Sequence, residues 1–181
     1  MAKEIGLQLY TGSPVTAVTT APTSTPTSPL YEIHTSRGNV RTPIVVYASN
    51  AHTATLLPQL QGLITPTRAQ AHKLIPTPPF ASANRMLTHT YSLRFSLKHF
   101  YSLIQRKSDG TMVLGTSRGI PGLQDIIHKQ VEGVKDDSVV SKELEADALK
   151  AFESVWEGEW EKDGVKLGEG HEYGWTGVLG E

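Results

Sequence analysis

The apolar positions along this chain change period several times, and those changes mark its elements. Leu7, Leu9, Tyr10, Val15 and Val18 suit a strand over residues 7–20. Residues 19–29 then read T-T-A-P-T-S-T-P-T-S-P. Proline has no N–H to give a ladder, so this tract is predicted to be an extended, exposed loop. Two strands, Tyr31–Thr35 and 40–48, flank the turn Arg37-Gly38-Asn39 and predict a hairpin. A short helix over 51–57 follows, closed by Pro58. Residues 64–75 read as strand again despite Pro66, residues 76–80 as a proline-rich loop, and 86–95 as a strand. In 100–116 two apolar runs flank Asp109-Gly110, a pair that tolerates the positive φ a tight hairpin turn demands. Residues 124–129 predict a helical turn.

One long helix is predicted over 138–156. Val140, Leu144, Ala148, Phe152 and Val155 recur at spacings of three and four, which puts them on one face. Asp137 or Ser138 would cap its first turn and Gly158 would stop it. A last strand spans 171–179. Strand and helix do not alternate regularly, so a doubly wound sheet is a poor fit. The order predicts an α+β fold: a mixed, mostly antiparallel sheet with one long helix.

Composition narrows the function classes. With 38% hydrophobic and 19% charged residues the chain has a globular composition. A net charge of -1 leaves no basic footprint for nucleic acid or an anionic membrane. No apolar run is long enough to span a bilayer, and the first residues lack a secretory signal. The absence of cysteine removes disulfides, thiolate nucleophiles and cysteine metal sites. Cytoplasm is the expected compartment, with a peroxisomal address left open.

Candidate chemistry is sparse. The nearest approach to a dinucleotide fingerprint is Gly168-Glu-Gly170, with Tyr173 where the third glycine belongs, and it reads as a turn before the last strand. The seven histidines are scattered, and none is paired at i, i+2 or i, i+4, so no metal site is expected. Gly115-Thr-Ser117-Arg-Gly119 fits the nucleophile elbow G-x-S-x-G, and Asp136, Asp147 or Asp163 followed by His171 complete the order Ser, Asp, His. An elbow, however, is a strand turning straight into a helix. Here Pro121 and Gly122 intervene, so a serine hydrolase using Ser117 is the minor alternative. Trp156, Trp160 and Trp175 are expected to pack in the core. The charges from Glu143 to Asp163 would form the solvated side of the helix.

Four blocks carry a resemblance. V-V-Y-A-S-N-A-H-T from Val45, running on through A-T-L-L-P, resembles the apolar strand, A-T-N-A turn and short helix of FAD-dependent oxidoreductases of the D-amino-acid and sarcosine oxidase family. L-I-T-P-T-R-A-Q from Leu63 is similar to that family's I-x-P-x-R-G-Q. Y-S-L-I-Q-R-K-S-D-G-T-M-V-L-G from Tyr101 resembles its Q-R-x-x-G hairpin, and E-Y-G-W-T-G-V-L-G from Glu172 its W-T-G-I-M-G stretch.

The resemblance implies a returning part of an FAD-binding domain over 1–60 and a substrate domain covering the flavin over 61–181. It implies cofactor contacts at Val15, Ala48, Ser49, Asn50, Ala51, Arg68 and Gln70. Tyr101, Gly115 and Ser117 would face the substrate, and Tyr101 and Arg68 are the candidate catalytic or ligand-side groups. The substrate would be a small amine or amino acid. The family's G-x-G-x-x-G and its segment after W-T-G-I-M-G have no counterpart here. The expectation is therefore a fragment, inactive alone, that holds FAD only when a missing half is supplied. A non-catalytic or complementing subunit of a split flavoprotein is the alternative. The hairpin lysine that some relatives use with oxygen aligns with Val113, and the cysteine of their covalent flavin link is missing.

Overall fold

The computed structural model describes residues 6–75, Phe80, 86–155 and 170–181. These fall into two compact units, Met1–Gly62 and Leu63–Glu181.

The first unit is built on a three-stranded antiparallel sheet in the order β1 (Val15–Thr20), β2 (Tyr31–Thr35), β3 (Gly38–Thr42). The Ser/Thr/Pro tract leaves β1 and returns as β2. Its tip is a turn in which Thr25 and Ser28 exchange backbone hydrogen bonds of 3.1 Å each. Two predicted strands are shorter than expected. No ladder forms over 7–14, and the run 40–48 stops at Thr42 because Pro43 has no N–H to continue it. Ile44 and Val46 beyond it are exposed. The predicted helix is one short turn, α1 (Thr53–Leu56), between two 3₁₀ turns.

The second unit is a five-stranded sheet in the order β5-β6-β7-β4-β8, antiparallel throughout. Its strands are β4 (Pro66–Leu74), β5 (Tyr91–Arg94), β6 (Phe100–Gln105), β7 (Met112–Gly115) and β8 (His171–Gly180). The Asp-Gly hairpin joins β6 to β7, with Gly110 at φ +72°. Two helices follow, α2 (Gln124–Gln130) and the long α3 (Lys142–Val155).

Strand alternation divides this sheet into two faces. Leu74, Leu93, Tyr101, Leu103, Met112 and Leu114 turn toward α3 and pack with its Ala148 and Phe152. The intervening residues face the other way, and among the described residues no element covers them. The long helix starts later than expected. Ser141, not Asp137 or Ser138, supplies the cap: its Oγ accepts the Leu144 N–H at 3.4 Å. Asp136 instead accepts the Ser138 N–H at 2.9 Å and shapes the preceding loop. Trp156, Gly158, Trp160, Asp163 and Gly168 lie outside the described residues. Trp175 is not in the core but 40% exposed on the uncovered face.

Candidate functional site

In the first unit, Val15, Ala48 and Ser49 meet around a cavity of about 570 Å³. Val18, Ile33, Val45 and Tyr47 complete its apolar wall. Beside it the chain turns through Ser49–His52, closed by a 2.9 Å bond from the His52 N–H to the Ser49 carbonyl. Asn50 sits there at φ +46°, the one non-glycine residue with positive φ among those described. Such backbone is costly for most side chains and tolerable for asparagine. Ala51 is 1% exposed. A larger side chain would find no room there.

In the second unit, the uncovered face of the sheet forms a shallow cavity of about 770 Å³. Its floor comes from register. Ala71 lies between Gly115 and Trp175, and Ala69 pairs with Gly177. A Cβ on Gly177 would meet nothing within 4 Å, so the space above it is open. A Cβ on Gly115 would lie 2.3 Å from the Ser102 Oγ. Trp175, Phe100, Leu97 and Leu179 stand around this flat floor. The rim is polar: Arg118 is ion-paired with Glu181, and Lys98 lies nearby. One row along, Lys73 Nζ is 2.6 Å from Glu172, and that hydrogen bond raises the ammonium's pKa.

Gly115 lies on this face, whereas the side chains of Tyr101, Arg68 and Gln70 do not. All three belong to the opposite strand parity and point toward the helices. Tyr101 is fully buried, donates its hydroxyl to Asp147 of α3 and is 2.8 Å from His99 Nε2. Burial, then the bond to Asp147, push its pKa far above the usual phenol value. Arg68, 7% exposed, donates to the Asp136 carbonyl at 3.3 Å. Gln70 clamps Ser141: its Oε1 accepts the Ser141 N–H at 2.8 Å and its Nε2 donates to the Ser141 carbonyl at 2.9 Å. Of these three residues only Gln70 borders the open cavity. The residues that form its floor, Ala69, Ala71 and Gly177, carry no functional group a motif search could flag.

Ser117 lines the same cavity, but its hydroxyl is committed to backbone. It accepts from the Phe100 N–H at 3.1 Å and the Gly119 N–H at 3.2 Å, and reaches the Lys98 carbonyl at 3.5 Å. A Cβ on Gly119 would fall 2.2 Å from that carbonyl, so the second glycine of the motif serves close packing. Asp147 is engaged with Tyr101, and His171 adjoins His72. No helix follows β7 directly. Among the described residues no serine triad is assembled around Ser117.

On the helix-covered side, a polar cluster joins three elements. His72 of β4 is fully buried; its Nδ1 is 3.3 Å from His171 Nε2 on β8 and 3.7 Å from Glu145 Oε2 on α3. His171 Nε2 is 3.8 Å from the same oxygen. Burial lowers the His72 pKa to about 4, so the ring is neutral near pH 7.

A sequence model of the family described as FAD dependent oxidoreductase matches residues 1–180. Among solved structures, glycine oxidase from Geobacillus kaustophilus superposes with a TM-score of 0.63 at 16% identity, covering 99% of this chain and 39% of that one. The chain thus spans about two fifths of that protein's length. No curated protein sequence matches it. Among the described residues no helix is long and apolar enough to cross a membrane.

Proposed function

The chain belongs to the FAD-dependent oxidoreductases, and from that premise we propose that it forms the flavin-covering, substrate-side part of an oxidoreductase acting on a small amine or amino acid. The observation that carries this reading is the uncovered face of the five-stranded sheet. Ala69, Ala71, Gly115 and Gly177 make a floor without protruding side chains, walled by Trp175 and Phe100. A planar aromatic ring and a small substrate fit such a floor, and a Cβ-bearing branched residue in it would not leave room for them. A flavin held there would supply hydride-accepting chemistry to the carbon beside the amine. The chain's own residues orient the reacting molecule and exclude water from it.

The apolar cavity around Val15, Ala48 and Ser49 is the second support. Small residues at Ala48–Ala51 and the left-handed Asn50 let backbone approach a ligand closely. We assign it to the nucleotide side of FAD. The 181 residues contain no G-x-G-x-x-G, so the pyrophosphate cradle must come from another segment or a second chain. By this reading the chain alone does not hold FAD and is inactive.

The test is reconstitution. The purified chain is mixed with FAD, with and without a polypeptide carrying the glycine-rich half of a family member, and passed over gel filtration. Flavin is expected to co-elute only from the three-component mixture. Gly177→Leu, whose Cβ meets no neighbour within 4 Å, is expected to reduce that retention at least tenfold. Stoichiometric FAD on the chain alone would overturn the missing cradle. Full retention by Gly177→Leu would overturn the sheet face as the flavin platform.

A further inference from the structure

We propose that His72, His171 and Glu145 bind a divalent transition-metal ion, zinc by their donor set, where β4, β8 and α3 meet. This site is on the opposite side of the sheet from the proposed flavin platform and stands independently of it.

Geometry carries the argument. The three donor atoms, His72 Nδ1, His171 Nε2 and Glu145 Oε2, are separated by 3.3, 3.7 and 3.8 Å. The centre of the triangle they form lies about 2.1 Å from each, the bond length of zinc to imidazole nitrogen and carboxylate oxygen, and a tetrahedral ion needs the two longer separations to close by a few tenths of an ångström. A water at that point would be too close to all three. Glu145 Oε2 is buried and has no hydrogen-bond partner among the described residues, an expensive state for a carboxylate oxygen. Its sister oxygen is already engaged by Lys142 Nζ at 2.9 Å. His171 and Glu145 retain side-chain exposures of 17% and 14%, which give an ion a route in and leave a fourth position for water. Two histidines and one carboxylate with an open position form a recognised zinc ligand set.

The outer shell tunes the affinity in a definite direction. Gln70 is locked by Ser141, so its Nε2 presents a donor to His72 Nε2 at 3.1 Å. In the metal-free protein that bond places the proton of His72 on Nδ1. Ligation through Nδ1 moves the proton to Nε2, where it faces another donor. Zinc-bound histidines normally give that proton to an acceptor. Gln70 therefore weakens the site by about 10–100-fold, the range over which outer-shell partners act.

The protein, purified without a histidine tag and stripped with chelator, is titrated with zinc by calorimetry and with cobalt by absorbance. One equivalent is expected, with tetrahedral cobalt bands in the visible. His171→Ala and Glu145→Gln, both partly exposed and so tolerated by the fold, are expected to weaken binding at least tenfold. Gln70→Glu supplies an acceptor to His72 Nε2 but gives up the bond to the Ser141 carbonyl, so it is compared with wild type under conditions where both are fully folded, and there it is expected to tighten binding about tenfold. Zinc is also expected to raise the unfolding temperature of the wild type but not of His171→Ala. Binding that survives both His171→Ala and Glu145→Gln belongs to other groups and would overturn the site. A Gln70→Glu protein that binds zinc more weakly than wild type would overturn the outer-shell argument.

Discussion

Replacing Gln70 separates a structural clamp from a cofactor contact. The side chain is 6% exposed and bonds both polar atoms of the Ser141 backbone. Ser141 is itself 3% exposed. Its carbonyl keeps a second partner, the Glu145 N–H at 3.1 Å, whereas its N–H has only Gln70 among the bonds seen here. Gln70→Met preserves most of the volume and removes both bonds to Ser141, along with the contact to His72 Nε2. The stranded N–H costs about 1–3 kcal/mol, and the lost carbonyl bond about 1 kcal/mol more. Gln70→Ala adds a small cavity, so about 2–4 kcal/mol is expected for Met and slightly more for Ala. For a unit of this size that is a fall in unfolding temperature of about 8–16 °C. All three tryptophans belong to Leu63–Glu181, so urea unfolding followed by tryptophan emission reads the relevant unit. A loss below about 0.5 kcal/mol, within the scatter of ordinary surface changes, would refute the clamp. Retained stability together with lost flavin in the reconstituted protein would return Gln70 to the cofactor contact that the family resemblance implies.

Three further outcomes follow from the same geometry. Tyr101→Phe removes a buried hydroxyl from the Asp147 carboxylate and is expected to cost about 1–3 kcal/mol by the same unfolding assay. Because the folded protein holds the Tyr101 pKa above its usual value of 10.0, this phenol's contribution is intact below pH about 10 and declines as pH rises further. Absorbance titration should then show one tyrosine ionising only as the unit unfolds, and a fully reversible ionisation of all six tyrosines in the folded state would contradict this. Gly119→Ala places a methyl against the Lys98 carbonyl and is expected to cost about 1–3 kcal/mol, with backbone displacement. Ser117→Ala should lose about 1–3 kcal/mol through the stranded Phe100 and Gly119 N–H groups without changing any ester-cleaving background. Loss of an ester hydrolase activity on that substitution would revive the nucleophile.

The elements that were legible in the sequence share one property: their signal is local. The Asp-Gly turn of β6–β7 needs only its own two residues, and α3 is written in the spacing of Leu144, Ala148 and Phe152. The departures have two causes, a single local residue that overrides propensity and a distant group that the spacing does not show. The strand expected over 40–48 failed at Pro43, whose missing N–H outweighs the β-propensity of Ile44, Val45 and Val46. The start of α3 is set by Ser141, which Gln70 holds from 71 positions away. The histidine–glutamate cluster is invisible to a spacing rule for the same reason. Its ligands come from β4, α3 and β8, and only antiparallel pairing of β4 with β8 brings His72 beside His171.

Strand parity accounts for the candidate site as well. A motif names conserved letters, but a strand shows alternate letters to opposite faces. In P-T-R-A-Q-A-H, the arginine and glutamine share parity with His72 and Leu74, and that parity is buried under the helices. The unremarkable alanines between them take the open face. The same division runs through β6, where the conspicuous Tyr101 enters the core and Ser102 enters the cavity. Large polar side chains in these blocks therefore hold the sheet to its helices, and the small ones leave the space a ligand needs. Filling that space at Gly177 and unclamping the sheet at Gln70 should accordingly fail in different assays. Gly177→Leu should spare urea stability and lose flavin in the reconstituted protein, while Gln70→Met should lose stability first.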